Sequence, residues 1–297
     1  MGVSLIEFDP VTLKTLGTWR TIFKGEFEPI GPNVAGGGRM AADTSGNIYL
    51  TIGVIQINGT DVAQSDAKLL GKIIKIDTAK GTWTTISKGH RNPQGLVITA
   101  NGEIWSTEHG PAGGDELNRI VAGANYGWPR VTLGTEYGRY SWEFTGPVGR
   151  HDGYEAPVFA WLPSIAASNL IEIKDFDPRW NGDFLVSSLK AQSLYRLRLD
   201  KGHVMYVESL WIGQRIRDIT QLVDGTIALW THDSQVLFLT VDSERLASDR
   251  RWPVALGETI VFSVRSNNLW VEMTGRLSPV RFCGKFRWIF EQGNGLA

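Results

Sequence analysis

Two short stretches crowd together side chains that can do chemistry. "GHRNPQGL" (89–96) carries His90, Arg91, Asn92 and Gln94, and "STEHGPAGGDELN" (106–118) carries Glu108, His109, Asp115 and Glu116. In the second stretch, Gly110-Pro111 and Gly113-Gly114 leave main-chain carbonyls accessible, while Asp115, Glu116 and Asn118 add side-chain oxygens. Carbonyls with carboxylates are the donors that a hard divalent cation such as Ca²⁺ selects. The spacing is not that of an EF-hand loop. The first stretch has a plainer reading, in which Pro93 and Gly95 fix a turn and Arg91 and Asn92 satisfy backbone groups. On the residues alone, both readings stay open.

Further along, Lys190 follows a strand-like run in "SSLKAQSLYRL", and Arg215 and Arg217 stand two apart in "GQRIRDI". Residues two apart on a strand share a face, so the two guanidinium groups are expected to project together. Two Arg and one Lys converging on a pocket would hold a polyanion, because Arg forks match carboxylates bidentately. A solvated basic face is the competing reading. Trp128 in "NYGWP" and Trp161 in "FAWLPS" read as packing residues. His151, His203 and His232 belong to no legible motif.

The elements that must position these residues are short strands. A turn-then-strand phrase recurs as "DTSGNIYLTIG" (43–53), "TANGEIWSTEHG" (99–110), "RWNGDFLVSSLK" (179–190) and "LVDGTIALWTHD" (222–233). In each, a glycine after a small polar or acidic residue makes the turn, and an apolar or aromatic run follows. Between them lie "GKIIKID", "SLYRLRLD", "HVMYVESLWI" and "SQVLFLTVD", with the alternation or near-alternation of half-buried strands. Phrases spaced 43 to 80 residues apart, with no long amphipathic helical pattern, predict an all-β propeller with long loops in some blades. A β-sandwich would use the same strands with more even connections. "SLIEFDPVTLKTLGTWRTIFKG" reads as the outer strands of a blade, and the blade rhythm stops near Arg250. The expected division is therefore a propeller over 1–249 and a divergent tail over 250–297.

Composition narrows the partners. With 30 basic and 31 acidic residues and no block of like charge, neither nucleic acid nor an anionic membrane surface is expected as the main partner. No apolar run approaches the ~20 residues that span a bilayer. The single cysteine, Cys283, excludes an internal disulfide and a cysteine-based zinc or haem site. "MGVSLIEFDP" has neither the basic nor the apolar region of a secretory signal.

"GHRNPQGL", "EHGPAGGDELN", "GANYGWP", "SLKAQSLYRLRL" and "RIRDI", in that order, resemble the glucose/sorbosone dehydrogenase family over roughly residues 3 to 242. The resemblance implies a six-bladed propeller with pyrroloquinoline quinone (PQQ) and Ca²⁺ on its top face, an aldose sugar as substrate and an external electron acceptor. It implies work outside the cytoplasm, in the periplasm or extracellular space. By resemblance, Arg91 and Asn92 lie beside the quinone, and the carbonyls of Gly110 and Pro111 bind the Ca²⁺. Lys190, Arg215 and Arg217 hold the PQQ carboxylates, which agrees with the charge reading above. Glu116 and Tyr126 match a second, structural Ca²⁺ site found in some members. Loops such as 131–155 are expected to choose the sugar.

The sequence also departs from the family. The family's general base is a His four residues before an Arg; here Arg39 matches that Arg and Ala35 holds the His position. The acidic residue that orients the base is replaced by Val54. The first blade and part of the second have no counterpart ahead of residue 1, so an incomplete ring is expected. "ALGETIVFS" resembles the lead-in to a c-type cytochrome, but no C-x-x-C-H follows. Residues after about 262 read either as a frameshifted remnant of such an extension or as a divergent tail. Three functions compete: a PQQ- and Ca²⁺-dependent aldose dehydrogenase impaired by loss of its base, a non-catalytic or decayed propeller that only binds ligand, and a Ca²⁺-dependent lactonase-like hydrolase.

Overall fold

A computed structural model describes residues 2–12, 14–26, 35–55, 62–135, 137 and 150–241. The tail over 250–297, with its proposed cytochrome remnant, lies outside them, as do 136 and 138–149 of the expected substrate loop. Among the described residues there is no helix, and the strands form antiparallel sheets in chain order. A hairpin of β1 (Gly2–Asp9) and β2 (Lys14–Lys24) comes first. The next sheet holds β3 (Ala35–Ala42), β4 (Ile48–Val54), β5 (Lys72–Asp77) and β6 (Thr82–Lys88). It is followed by β7 (Pro93–Ile98), β8 (Ile104–Glu108), β9 (Asp115–Ile120) and β10 (Phe159–Trp161). A further sheet holds β11 (Ala167–Glu172), β12 (Phe184–Ser188), β13 (Ser193–Asp200) and β14 (His203–Trp211). Last come β15 (Ile216–Gln221), β16 (Ile227–Thr231) and β17 (Val236–Leu239). These are the up-and-down sheets of propeller blades.

Each recurrent phrase of the sequence is the turn into the second strand of its sheet, β4, β8, β12 or β16. The turn glycines Gly46, Gly102, Gly182 and Gly225 have φ of 81, 85, 82 and 88°, which a side chain resists. Carboxylates set the turn from the other side: Asp43 Oδ1 accepts the amides of Ser45 and Asn47 at 3.0 and 2.9 Å. Asp224 Oδ1 likewise accepts the Thr226 amide at 3.0 Å. Such Asx turns offer the chain a hydrogen-bonded corner before the apolar run begins.

Successive sheets stack face to face, and each gap holds one core. Tyr49, Ile73, Leu96 and Ile120 fill the gap between the β3–β6 and β7–β10 sheets. Trp105, Leu117, Leu170 and Phe184 fill the next, and Leu185, Ile219 and Leu229 the one after. The near-alternation of "KIIKI" predicts a half-buried strand, and the structure differs. β5 is covered on both faces, with Ile74 and Ile76 in one core and Ile73 in another. Even Lys72 is 1 % exposed, its ammonium donating to the carbonyls of Ala63 and Leu70, both at 2.9 Å. Sheets sandwiched between sheets read as apolar runs, as strands buried on both faces do.

The first strands, β3, β7, β11 and β15, pack side by side. Each breaks register with its neighbour near its beginning: between Gly37 and Met40, Pro93 and Gly95, Ala167 and Leu170, and Ile216 and Asp218. Bulges release side chains from the ladder and re-aim them. Here they meet. Arg39 donates from Nε to the Gln94 carbonyl at 2.8 Å and from Nη1 to Asp218 Oδ1 at 3.0 Å. The same Asp218 oxygen accepts from Asn169 Nδ2 at 2.6 Å and from the Ile219 amide at 2.9 Å. One guanidinium and one carboxylate thus tie four strands together with side chains only 17 and 14 % exposed.

Arg39→Ala is expected to lower the unfolding free energy by ~3 kcal/mol, because it strands a mostly buried carboxylate. Arg39→Lys should restore only part of this, since a point charge cannot serve two divergent acceptors. Urea unfolding of the two variants checks it; equal stability to the parent chain would remove the network from its structural role.

Candidate functional site

Most of the candidate residues lie where first strands begin and second strands end. Arg91 and Asn92 immediately precede β7, and His109 and Gly110 follow β8. Lys190 lies two residues past β12, Arg215 immediately precedes β15, and Arg217 is its second residue. Ala35 and Val54 face each other as the end pair of the β3–β4 ladder.

The Arg91–Asn92 segment is held by close backbone approach. A side chain at Gly53 would stand 2.5 Å from the Arg91 carbonyl, and one at Gly36 would stand 2.3 Å from Asn92 Oδ1. Asn92 Oδ1 accepts the Gly37 amide at 3.0 Å and Gln94 Nε2 at 2.7 Å. Arg91 is 5 % exposed; its Nη1 donates to the carbonyls of His109 and Gly110 at 3.1 and 2.8 Å, and the guanidinium lies 5.2 Å from the Trp128 ring centre. Its Nε, also buried, has no partner.

His109 links this segment to the next sheet. Its Nε2 donates to the Ala167 carbonyl at 2.6 Å, which leaves Nδ1 to accept from Asn92 Nδ2 at 3.3 Å. Burial lowers the pKa of this imidazole, although Asp115 opposes the effect. A neutral ring is what the hydrogen bonds require. The turn that follows is lined with carbonyls: a Cβ at Gly110 would lie 2.1 Å from Gly113 O and 2.4 Å from Gly114 O. Pro111 is buried in the same turn.

The acidic residues part company. Asp115 is spent on the fold, accepting the Gly110 amide at 3.2 Å, Ser164 Oγ at 2.6 Å and the Ala167 amide at 3.3 Å. It is therefore not the open oxygen ligand that its place in the sequence suggests. Glu116 faces Glu108 directly across the β8–β9 ladder. Burial, reinforced by the charges of Glu108 and Asp115, pushes the Glu116 carboxyl up to about 8, and the amide of Asn118, 3.1 Å away, only partly offsets this. Glu108 Oε2 and Asn118 Oδ1 remain buried without hydrogen bonds. Glu108 and Glu116 line a small pocket with Arg91, Gly110 and Thr132. Among the described residues no three His, Cys, Asp or Glu side chains form a metal-holding group. Tyr126 is in the pocket wall, but its hydroxyl donates to the Arg119 carbonyl and accepts the Val121 amide. Only its main chain is left to serve a cation.

His90 belongs to the core. It is fully buried, 2.8 Å from Ser87 Oγ, and stacked on Tyr126 with ring centres 4.6 Å apart. Its Nδ1 approaches Glu108 Oε2 to 3.3 Å without hydrogen-bond alignment.

The three cations stand apart from this cluster. Lys190, Arg215 and Arg217 are exposed. Ser168 couples the ends of their strands, its hydroxyl lying 2.8 Å from Ser187 Oγ and donating to the Ile216 carbonyl at 2.6 Å. Lys190 also borders a cleft of about 480 Å³ with Trp161, Leu162, Pro163 and Tyr195. Trp161 is a packing residue as expected, edge-on to Phe159 and Tyr195, yet its buried indole N–H beside the cleft has no partner. His232, which belongs to no motif in the sequence, accepts from Nε and Nη2 of Arg217 at 3.1 and 2.7 Å. Its place directly after a second strand, like that of His109 after β8, was the available signal.

The family model for glucose/sorbosone dehydrogenases matches residues 9–239. An aldose sugar dehydrogenase of Escherichia coli, YliI, is 30% identical over 247 residues, which cover 77% of this chain and 65% of that one. A quinoprotein glucose dehydrogenase of Acinetobacter calcoaceticus is 52% identical over 58 residues, 18% of this chain and 12% of its own. A crystal structure of a glucose dehydrogenase superposes with a TM-score of 0.72 at 30% identity, covering 82% of this chain and 73% of that one. The chain spans 60 and 65% of the length of two curated relatives. No helix among the described residues is long and apolar enough to cross a membrane.

Because the Glu116 pKa is raised from 4.5 to about 8, the folded chain holds a proton in that interval that the unfolded chain has released. Stability should therefore fall as pH rises through the interval in the absence of added cations. Glu116→Gln should flatten the slope, as read from urea midpoints at the two ends; an unchanged slope would mean that Glu116 ionises normally in the fold.

Proposed function

The chain belongs to the glucose/sorbosone dehydrogenase family, and from that premise we propose that it binds PQQ with Ca²⁺ for the oxidation of an aldose sugar, but without a general base of its own. The observation that carries the reading is the meeting of Arg91 and Asn92 with a carbonyl-lined turn, with three exposed cations at the end of β12 and the start of β15. The donor sets fit both groups. Main-chain oxygens of the Gly110–Pro111 turn suit a hard cation, and a carbonyl that accepts from Arg91 retains a second lone pair. Lys190, Arg215 and Arg217 suit the carboxylates of a polyanion. Bound there, PQQ would supply a two-electron acceptor for the hydride of the sugar C1–H, and Ca²⁺ a Lewis acid.

The chain's own residues then have defined work. Arg91, immobilised by two carbonyls, keeps one buried N–H unspent for a ligand oxygen. The apolar wall of Leu162 and Pro163 near Lys190 gives a sugar a face from which water is displaced. The missing function is proton removal from the C1 hydroxyl. Ala35 and Val54 pair across the ladder where the family resemblance puts the base and its orienting acid, and neither side chain ionises. His109 offers no substitute, because both ring nitrogens are committed. A positioned base is worth ~10²–10⁴-fold, so turnover should be slow by about that factor. The same pair favours a second reading, a propeller that binds its ligand without turnover. The reading carries with it an external electron acceptor and a place of work outside the cytoplasm.

Calorimetric titration of PQQ with and without Ca²⁺, followed by anaerobic addition of glucose, tests this. Ca²⁺-dependent binding with little quinone reduction is expected. Absence of binding would overturn the cofactor assignment, and prompt reduction would mean that another group takes the proton. Arg215→Ala should weaken PQQ binding by about 1.5–3 kcal/mol, the value of a charged hydrogen bond; an unchanged affinity removes Arg215 from the site. Ala35→His combined with Val54→Asp should raise dye-linked sugar oxidation by ~10²-fold or more. No gain in a variant that still binds PQQ would refute the missing-base explanation.

A further inference from the structure

We propose that His232 is a positioning residue of the polyanion site, a clamp that holds Arg215 and Arg217 for the ligand's carboxylates; this rests on the reading of those arginines given above. Arg217 needs such a clamp. Register on β15 breaks between Ile216, which pairs with Thr231, and Asp218, which pairs with Trp230. Arg217 is the residue left over, so the ladder does not fix the direction of its side chain. Its neighbour Asp218 turns its carboxylate to Arg39 and Asn169 instead.

His232 meets the need from the turn directly after the adjoining strand, β16. Its Nδ1 accepts from Nε at 3.1 Å and from Nη2 at 2.7 Å of the Arg217 guanidinium. Its own amide donates to the Arg215 carbonyl at 2.7 Å. One residue therefore engages both arginines, one through the main chain and the other through the ring. Because the ring acts as an acceptor at Nδ1, its proton sits on Nε2. Arg217 spends Nε and one edge of its fork on the imidazole and keeps Nη1 for a ligand. An exposed arginine otherwise loses rotamer freedom on binding, and holding it in advance reduces that cost.

The test is calorimetric titration of PQQ, in the presence of Ca²⁺, into the full chain and into His232→Leu, His232→Asn and Arg217→Ala, with benzene-1,2,4-tricarboxylate as a redox-silent second probe. His232→Leu should weaken both probes by about tenfold, the scale of one misplaced charge-assisted hydrogen bond. His232→Asn, which retains a short acceptor, should recover part of the loss. In the Arg217→Ala background, His232→Leu should have little further effect, because its partner is gone; a merely structural residue would cost the same in both backgrounds. Full affinity in His232→Leu, or losses that simply add, would overturn the inference. Failure of the parent chain to bind either probe would instead overturn the polyanion reading on which it rests.

Discussion

The interaction on which the rest of the molecule depends is the Arg39–Asp218 ion pair, because it joins strands that are far apart in sequence and share no ladder. Hydrogen bonding within each sheet explains each blade, but nothing in the ladders dictates how the first strands of successive blades sit against one another. Apolar packing between sheets is strong but non-directional. The guanidinium fork adds direction: one arm reaches the Gln94 carbonyl and the other Asp218, which also receives Asn169. A partly buried pair of this kind is better evidence of specificity than of net stability. Here it sets the spacing of the loops that carry Arg91, Asn92 and the two exposed arginines.

That spacing relies on bulges. Without the register breaks, Arg39, Asn169 and Asp218 would remain in the alternation of their strands. The breaks free them to converge and leave Arg217 on the opposite side of the same irregularity. Structural network and candidate ligand site are thus two outputs of one set of backbone irregularities. The acidic pair Glu108–Glu116 shows what happens where the ladder stays regular: two carboxylates face each other, and burial holds one of them protonated near neutrality.

Much of the scaffold was legible because it is locally encoded. Asx residues and turn glycines announce β4, β8, β12 and β16, and the apolar runs after them are the strands. What local pattern could not show is which faces are covered. Lys72 reads as a solvent-facing position and is buried, because a sheet sits on each side of β5. The site was legible as a set of residues but not as roles. Asp115 and Glu116 are adjacent in sequence, yet they point to opposite sides of β9, one into backbone amides and the other toward a facing carboxylate. His90 stands beside Arg91 and belongs to the core. His232 has no motif because its partner is reached only through a bulge, which no period in the sequence announces.

The candidate ligand groups and the Ala35–Val54 pair therefore reside on different parts of the scaffold. The cationic and carbonyl groups come from the edges of the sheets that contain β7–β8, β11–β12 and β15–β16, whereas Ala35 and Val54 close the β3–β4 ladder. The two sets meet through the backbone at Gly36, Gly37 and Gly53, which packs on Arg91 and Asn92, and through Trp128, whose indole donates to the Val54 carbonyl. Small residues at that contact are required by geometry whether or not a base stands beside them. Ala35 and Val54 thus leave the Arg91–Asn92 segment its packing partner. The chemistry at positions 35 and 54 can therefore vary without disturbing the packing around Arg91 and Asn92, because the two depend on different strands.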